Sequence, residues 1–173
     1  MEKNRRLERS FYHMHADALA PALLGKILCR QIGADIIRMR ITETECYMGE
    51  SDTACHASRG RTERTKVLYE VGGTIYVYLC YGIHNMLNVV AGDAGFPEAV
   101  LIRGVDAVFG PGRVTKTLNI TRALNQKDLC TSSELWIEDD GFAPVYHTAS
   151  RVGIGYASAE DQARLWRFIA DVK

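Results

Sequence analysis

The chain has 173 residues, is 47% hydrophobic and carries 21 basic and 21 acidic side chains for a formal net charge of zero. That length and apolar content suit one compact α/β or α+β domain, and neutrality argues against a chain that coats nucleic acid by bulk charge. No apolar run reaches the length of a membrane span, and the start, MEKNRRLERSFYHMH, lacks the apolar segment of a secretory signal, so a cytoplasmic protein is expected.

In chain order, residues 1–10 are expected to be a flexible N-terminus, and ADALAPALLGK reads as a short helix ended by Gly25, since glycine readily takes the left-handed conformation past a helix end. KILCRQI and DIIRMRITETECYM read as two strands joined at Gly33, Ala34 and Asp35. Thr62 is placed to cap a helix over 63–70 that Gly72 and Gly73 end. IYVYLCY and HNMLNVVA form a hairpin that turns at Tyr81 and Gly82, followed by a strand AVLIR and a sharp GPG. Pro111 opens a helix with Val114 and Leu118 on one face and Arg113 and Lys116 on another. A strand LWIE, a segment SRVGIGYA and a polar stretch ending in LWRFI complete the chain. With no repeats or linkers, residues 1–173 are expected to be one unit. Strands outnumber helices and hairpins outnumber βαβ units, which predicts an α+β domain with a curved, mainly antiparallel sheet packed with helices and a protruding hairpin.

The five cysteines, Cys29, Cys46, Cys55, Cys80 and Cys130, are odd in number and lack CxxC or zinc-module spacing, which reads as reduced, mostly buried thiols. Charge is unevenly spread. Residues 59–66 hold Arg59, Arg61, Arg64 and Lys66 against Glu63 alone, and 110–127 hold Arg113, Lys116, Arg122 and Lys127 with no acid. The acids collect at Glu134, Glu138, Asp139, Asp140, Glu160 and Asp161. Such asymmetry reads either as a positive face for a phosphate backbone or as ordinary solvated charge.

Strand alternation places Ile37, Met39 and Ile41 on one face with Glu43, Glu45 and Tyr47 unless a bulge intervenes. Carboxylates ending an apolar row either meet a cation, a donor or a cleft, or emerge into solvent. Arg103, ending AVLIR beside Gly104, is a candidate cation that would hold Glu45 ionised as a general base. His56 sits in SDTACHASRGR, whose small residues would let backbone approach a ligand, although a lone loop histidine is ordinarily a surface residue. Tyr76 and Tyr78 share a strand face and read as core or pocket wall. Tyr81, at the hairpin tip, either folds back onto the sheet or inserts into something, as wedges do into a distorted duplex.

Taken together, ITETECYMGESDTACHASRGRT, GGTIYVYLCYGIHNMLNVV, VLIRG, GPG and SRVGIGYA, in that order from about Phe11 to Phe168, resemble the alkyladenine (3-methyladenine) DNA glycosylase family, in its bacterial single-domain form. The resemblance implies a base-excision-repair enzyme acting on duplex DNA that contains damaged purines such as 3-methyladenine, 7-methylguanine and hypoxanthine, with no cofactor, metal, membrane or obligate protein partner. By position, Glu45 is similar to the carboxylate that activates water, and Arg103 and the Val152 carbonyl to groups that hold that water. Tyr47, His56 and Tyr78 match the base sandwich, Asn88 the group that crowds the amino group of guanine, and Tyr81 the residue that fills the gap left by a flipped nucleotide. Arg59, Arg61, Arg64 and Arg113 are the expected backbone contacts.

Three departures from the resemblance stand out. Only GVDAVF separates Arg103 from Gly110, His84 follows the wedge where an aromatic is common, and Cys46 and Cys55 flank Glu45 and His56, which exposes the site to oxidation or metal poisoning. Three other readings compete. A zinc hydrolase or deaminase would need three convergent ligands, and a bifunctional lyase would need an amine in the pocket. A catalytically silent module that binds damaged DNA would need only Tyr81 and the basic patches.

Overall fold

The computed structural model describes residues 4–171. Among these the strands are β1 (Arg5–Arg6), β2 (Ile27–Ile32), β3 (Asp35–Tyr47), β4 (Ile75–Cys80), β5 (His84–Ala91), β6 (Glu98–Val105), β7 (Val108–Phe109), β8 (Leu135–Asp139), β9 (Tyr146–Ala149) and β10 (Arg167–Ala170). The helices are α1 (Ala16–Leu23), α2 (Pro111–Thr117) and α3 (Ala159–Ala163). All named strands join one open antiparallel sheet in the order β1-β8-β2-β3-β6-β5-β4, with β10 on β3, β9 on β10 and β7 on β6. The fold is α+β, as the excess of hairpins implied.

Strand β3 is the spine. Its first half pairs with β2, and its second half is held between β6 and β10. On one face, α1 and α2 cover the main core, where Leu19, Leu23, Ile41, Cys46, Val100 and Ile102 pack together. On the other, smaller clusters form under the loop segments 48–71 and 150–157, with Tyr47 shared between them. Gly25 ends the α1 region at φ 84°, and a Cβ there would meet Pro144 Cδ at 2.6 Å, so the position needs glycine twice over.

Several elements differ from expectation. The helix over 63–70 is a 3-10 turn, Thr65–Tyr69, preceded by another at His56–Arg59. Thr62 Oγ1 accepts from the Thr65 N–H at 3.2 Å, but the cap position is Arg64, which makes no side-chain cap bond, and β-branched Thr65 and Val67 and the nearby glycines leave too little chain to propagate an α-helix. The segment SRVGIGYA is a loop, and before it lies an unexpected strand, YHTA, which has no apolar alternation. Residues 4–10 are not a free tail, because Arg5 and Arg6 pair with β8 and Arg6 donates to the carbonyls of Leu129 and Ser132. Residues 1–3 of that expected flexible terminus lie outside the described residues.

The loop segments that face the second side of the sheet are clamped by one ion pair. Arg151 donates to both oxygens of Asp52, at 2.6 and 3.0 Å, and to the carbonyls of Cys46 and Asp161. Asp52 in turn accepts from the Met48 and Ala54 N–H groups. The two side chains are 0% and 1% exposed, so neither charge has water to fall back on. Arg151→Ala or Asp52→Ala should therefore cost about 3–5 kcal/mol by leaving the partner buried and unpaired, as measured by urea unfolding. A loss below about 1 kcal/mol would mean that the clamp is dispensable.

Candidate active site

The site begins at an irregularity between β3 and β6. Ile41 pairs with Val105, Glu43 with Gly104 and Thr44 with Ile102, so Thr42 on β3 and Arg103 on β6 have no ladder partner. Each strand thereby reverses its faces. Ile41 packs into the main core, and beyond the irregularity it is Thr44, bonded to the Ala20 carbonyl of α1, and Cys46 that face that side. Glu43, Glu45 and Tyr47 point to the opposite face, so the expected shared row with Ile37, Met39 and Ile41 is broken by a bulge. Arg103 likewise is not a strand end, because β6 continues to Val105. Gly104 permits the close crossing: a Cβ there would meet Thr42 Oγ1 at 2.9 Å and Glu43 Cβ at 3.1 Å.

Glu45 is 0% exposed. Its Oε1 accepts from the Val152 N–H at 2.7 Å and its Oε2 from the Tyr47 hydroxyl at 2.8 Å. Arg103 Nε stands 3.6 Å from Oε1 but bonds Glu43 at 3.1 Å, so the cation assigned to Glu45 is shared and leans to its neighbour. Burial raises the Glu45 pKa above the ordinary carboxylate value, and Arg103, the Val152 N–H, Tyr47 and Arg151 partly offset it. Val152 meets Glu45 through its N–H, whereas the sequence reading had given a role to its carbonyl.

Beside this carboxylate, across Tyr47, is a narrow cleft open to solvent, lined by Tyr47, Ala54, Cys55, His56, Leu68, Tyr76, Tyr78, Asn88, Ala99 and Tyr156. All four expected base-pocket residues, Tyr47, His56, Tyr78 and Asn88, meet here. His56 Nδ1 is 2.9 Å from the Tyr76 hydroxyl, and its ring lies 4.5 Å from that of Tyr78. Burial, then Arg64 and Arg59, push its pKa down to about 4, which leaves it neutral at pH 7. Asn88 is buried and donates from Nδ2 to the carbonyls of Tyr76 and Met86.

Tyr81 stands out at the hairpin tip, 86% exposed, with φ 51° beside Gly82 at φ 66°. Both positive angles match a type I′ turn, and Ile83, 73% exposed, shares the tip. His84 is exposed beside the turn, as the first residue of β5, where Gly112 of α2 comes close enough that a Cβ would lie 3.0 Å from its ring. Arg59 and Arg64 line a groove that continues from the pocket mouth past His56 and Tyr156. Arg61 instead lies over the Tyr69 ring at 5.4 Å, and Arg113 is exposed on α2. GVDAVF is a tight β6–β7 hairpin turning at Asp106.

Cys46 and Cys55 are buried, and burial raises both thiol pKa values, that of Cys55 to about 11. Scarce thiolate makes the expected oxidation hazard small. Among the described residues no three His, Cys, Asp or Glu side chains converge as metal ligands. Sequence reasoning missed three contributors. Tyr156 lines the pocket with its hydroxyl fixed on the Ala54 carbonyl at 2.7 Å, and its only signal was its place at the end of the SRVGIGYA motif. Arg167 bonds Glu43, and Asp52 meets Arg151 across ninety-nine positions; no local pattern announces either contact.

The family model for methylpurine-DNA glycosylase matches residues 10–109 and 105–173, two stretches that meet at the short β6–β7 hairpin. A Psychrobacter cryohalolentis protein is 43% identical over 80% of this chain and 80% of its own. Proteins from Methanocella arvoryzae, 41% identical over 94% and 90%, and Borreliella afzelii, 42% identical over 94% of both chains, are similarly related. Each carries the name "Putative 3-methyladenine DNA glycosylase".

The raised Glu45 pKa has a stability sign. Its folded value lies above its unfolded one, so the stabilising contribution is full below the unfolded pKa and is lost as pH rises through the folded pKa. At pH 7 burial of the titratable carboxyl is a liability that Glu45→Gln removes, while the amide oxygen can still accept from Val152. This variant should melt a few degrees above the parent at pH 7, with the gap closing as pH falls through the raised folded pKa and gone by about pH 4. Equal melting temperatures at pH 7 in a thermal scan would count against a strained carboxylate.

Proposed function

The chain belongs to the methylpurine-DNA glycosylase family, and from that premise we propose that it flips alkylated or deaminated purines out of duplex DNA and hydrolyses the N-glycosidic bond with a water activated by Glu45. The observation that carries this reading is Glu45 itself, fully buried and oriented by the Val152 N–H and Tyr47 hydroxyl at the edge of an aromatic cleft.

Cleaving the glycosidic bond builds positive charge on the sugar, so a fixed anion stabilises the transition state and takes a proton from the attacking water. A raised pKa makes Glu45 a stronger base than a solvated carboxylate, while Arg103, the Val152 N–H and the Tyr47 hydroxyl act in favour of its ionised form. Among the described residues Arg103 hydrogen-bonds protein through Nε alone, which leaves the rest of its fork to hold the water with the Val152 carbonyl. The purine is received between Tyr47, His56 and Tyr78. Stacking recovers about 1–3 kcal/mol per base against a flipping cost of a few kcal/mol, so only bases with weakened pairing are extracted efficiently. Cationic 3-methyladenine and 7-methylguanine gain further from the ring faces, and neutral hypoxanthine fits the same pocket. Asn88, fixed on two carbonyls, would crowd the amino group of guanine.

Tyr81 would fill the vacated stack, with Arg59, Arg61, Arg64 and Arg113 on phosphates. Among the described residues no lysine lines the pocket, which supports hydrolysis without a covalent Schiff base. A silent binding module would need the wedge and the basic groove but has no use for a carboxylate buried at this cost.

Release of hypoxanthine and 3-methyladenine from duplex DNA, by parent and Glu45→Gln proteins with EDTA present, tests the proposal. The parent should excise at least one of them, and the variant should bind lesion DNA but lose about 10²–10⁴-fold in rate. Binding without excision by the parent, or equal turnover by the variant, would overturn it. Tyr81→Ser should weaken binding to lesion duplex by about 1–3 kcal/mol with little change in melting temperature. Unchanged affinity in a fluorescence titration would remove the wedge.

A further inference from the structure

Glu43 is a charged group at the site to which that proposal gives no task. It lies two residues before Glu45 on the same face of β3, 14% exposed, and its Oε1 accepts from two guanidiniums, Arg103 Nε at 3.1 Å and Arg167 Nη1 at 3.2 Å. Arg167, on β10 opposite Glu45 in the ladder, also donates from Nε to the Ser150 carbonyl at 2.8 Å. Ser150 lies two residues before Val152, whose N–H holds Glu45. The two acids and two arginines thus form one balanced group. Arg151, the remaining nearby cation, is committed to Asp52.

We propose that Glu43 is a positioning residue that sets the base strength of Glu45 by holding Arg103 away from it. The inference rests on the reading of Glu45 as the general base. A guanidinium that hydrogen-bonds a carboxylate directly lowers its proton affinity, and a base loses driving force as its pKa falls away from the working pH. Arg103 stands 3.6 Å from Glu45 and spends its Nε hydrogen bond on Glu43, so Glu45 has the cation as an ion-pair neighbour without a direct hydrogen bond from it. The negative charge of Glu43 acts in the same direction by repulsion. Its geometry follows from the bulge: Glu43 is paired with Gly104, and Arg103, without a ladder partner, is turned to the side that both acids occupy.

The groups facing Glu45 are Glu43 and Tyr47 from β3, Arg103 from β6, and Arg151 and Tyr156 from the loop 150–157, with Arg167 of β10 acting through Glu43. Their signs give a test with two opposite arms. In Glu43→Gln, Arg103 is released to Glu45 and a like charge is removed, so the acid limb of single-turnover excision should move to lower pH by about one unit, the order that a close charge imposes. In Arg167→Gln, Glu43 has Arg103 as its only cation and draws it closer, so the limb should move to higher pH. Glu43→Asp, which keeps the charge, should leave the limb near that of the parent.

The measurement is excision between about pH 4 and 8, with Glu45→Gln subtracting spontaneous base loss and circular dichroism confirming each fold. A purely structural Glu43 would lower the plateau rate and leave the limb in place, and that result overturns the inference. So does a shift of Glu43→Gln to higher pH, or a parent with no acid limb. Retained excision by Glu45→Gln would instead remove the underlying reading of the base, so the two failures are distinguishable.

Discussion

Thr42 on β3 and Arg103 on β6 face each other without ladder partners, and this paired irregularity exchanges the faces that both strands present. Before it, β3 feeds the main core with Ile41; after it, Thr44 and Cys46 serve that core while Glu45 and Tyr47 are released to the other side. One strand can therefore be a structural spine and an active-site wall at once. The exchange has local costs. Thr42 Oγ1 is buried with no hydrogen-bond partner among the described residues, and position 104 admits only glycine without displacing Thr42 or Glu43. Such costs are commonly borne where a strand has to re-aim a side chain.

Turning Glu45 inward creates the second constraint, a carboxylate with no water. Its partners come from three places: the Tyr47 hydroxyl two residues on and the Val152 N–H from a loop as donors, and the Arg103 cation across the ladder at 3.6 Å. Only the loop donor needs a separate restraint, and the Arg151–Asp52 pair supplies it by tying position 151 to the end of β3, to the 48–54 loop and to α3. Arg151 also lies 4.9 Å from the Tyr47 ring, so the same cation steadies a second donor to the carboxylate. Stability and site geometry are coupled here, because the ion pair that anchors the loops is adjacent in sequence to the group that orients Glu45.

Local pattern carried most of the fold. The alternation of IYVYLCY and HNMLNVVA, the turn at Tyr81 and Gly82, and glycine after ADALAPALLGK all specify their structures within a few residues, and each was legible. The bulge was not, because ITETE reads as regular alternation in either register and its cause is a crossing with Gly104 sixty residues away. Strand β9 was hidden for a different reason: its residues YHTA are largely exposed, so no burial pattern marks them, and they are ordered by pairing with β10. The candidate site was legible as a set of residue types through the family motifs, while its electrostatics were not. That Arg103 bonds Glu43 before Glu45, and that His56 is held neutral by burial beside Arg64 and Arg59, depend on contacts between distant segments.

The arrangement of the hairpin bears on how a neutral chain could select rare lesions. Net charge is zero, so long-range attraction to a phosphate backbone is weak overall and confined to local arginines. Specificity must then come from short-range steps that undamaged duplex fails. Tyr78 at the pocket and Tyr81 at the tip belong to one strand and its turn, about 10 Å apart at the ordinary strand rise. In the proposed reading, a single rigid element both occupies the vacated stack and offers the wall that receives the base. The positive φ of Tyr81 fits this economy. A large side chain in the left-handed region carries a local strain on the order of 1–3 kcal/mol, and the tight turn that imposes it holds the ring out in solvent instead of letting it collapse onto the sheet. In that reading the wedge is set before DNA arrives, and little ordering of the protein remains to oppose the cost of unstacking a base.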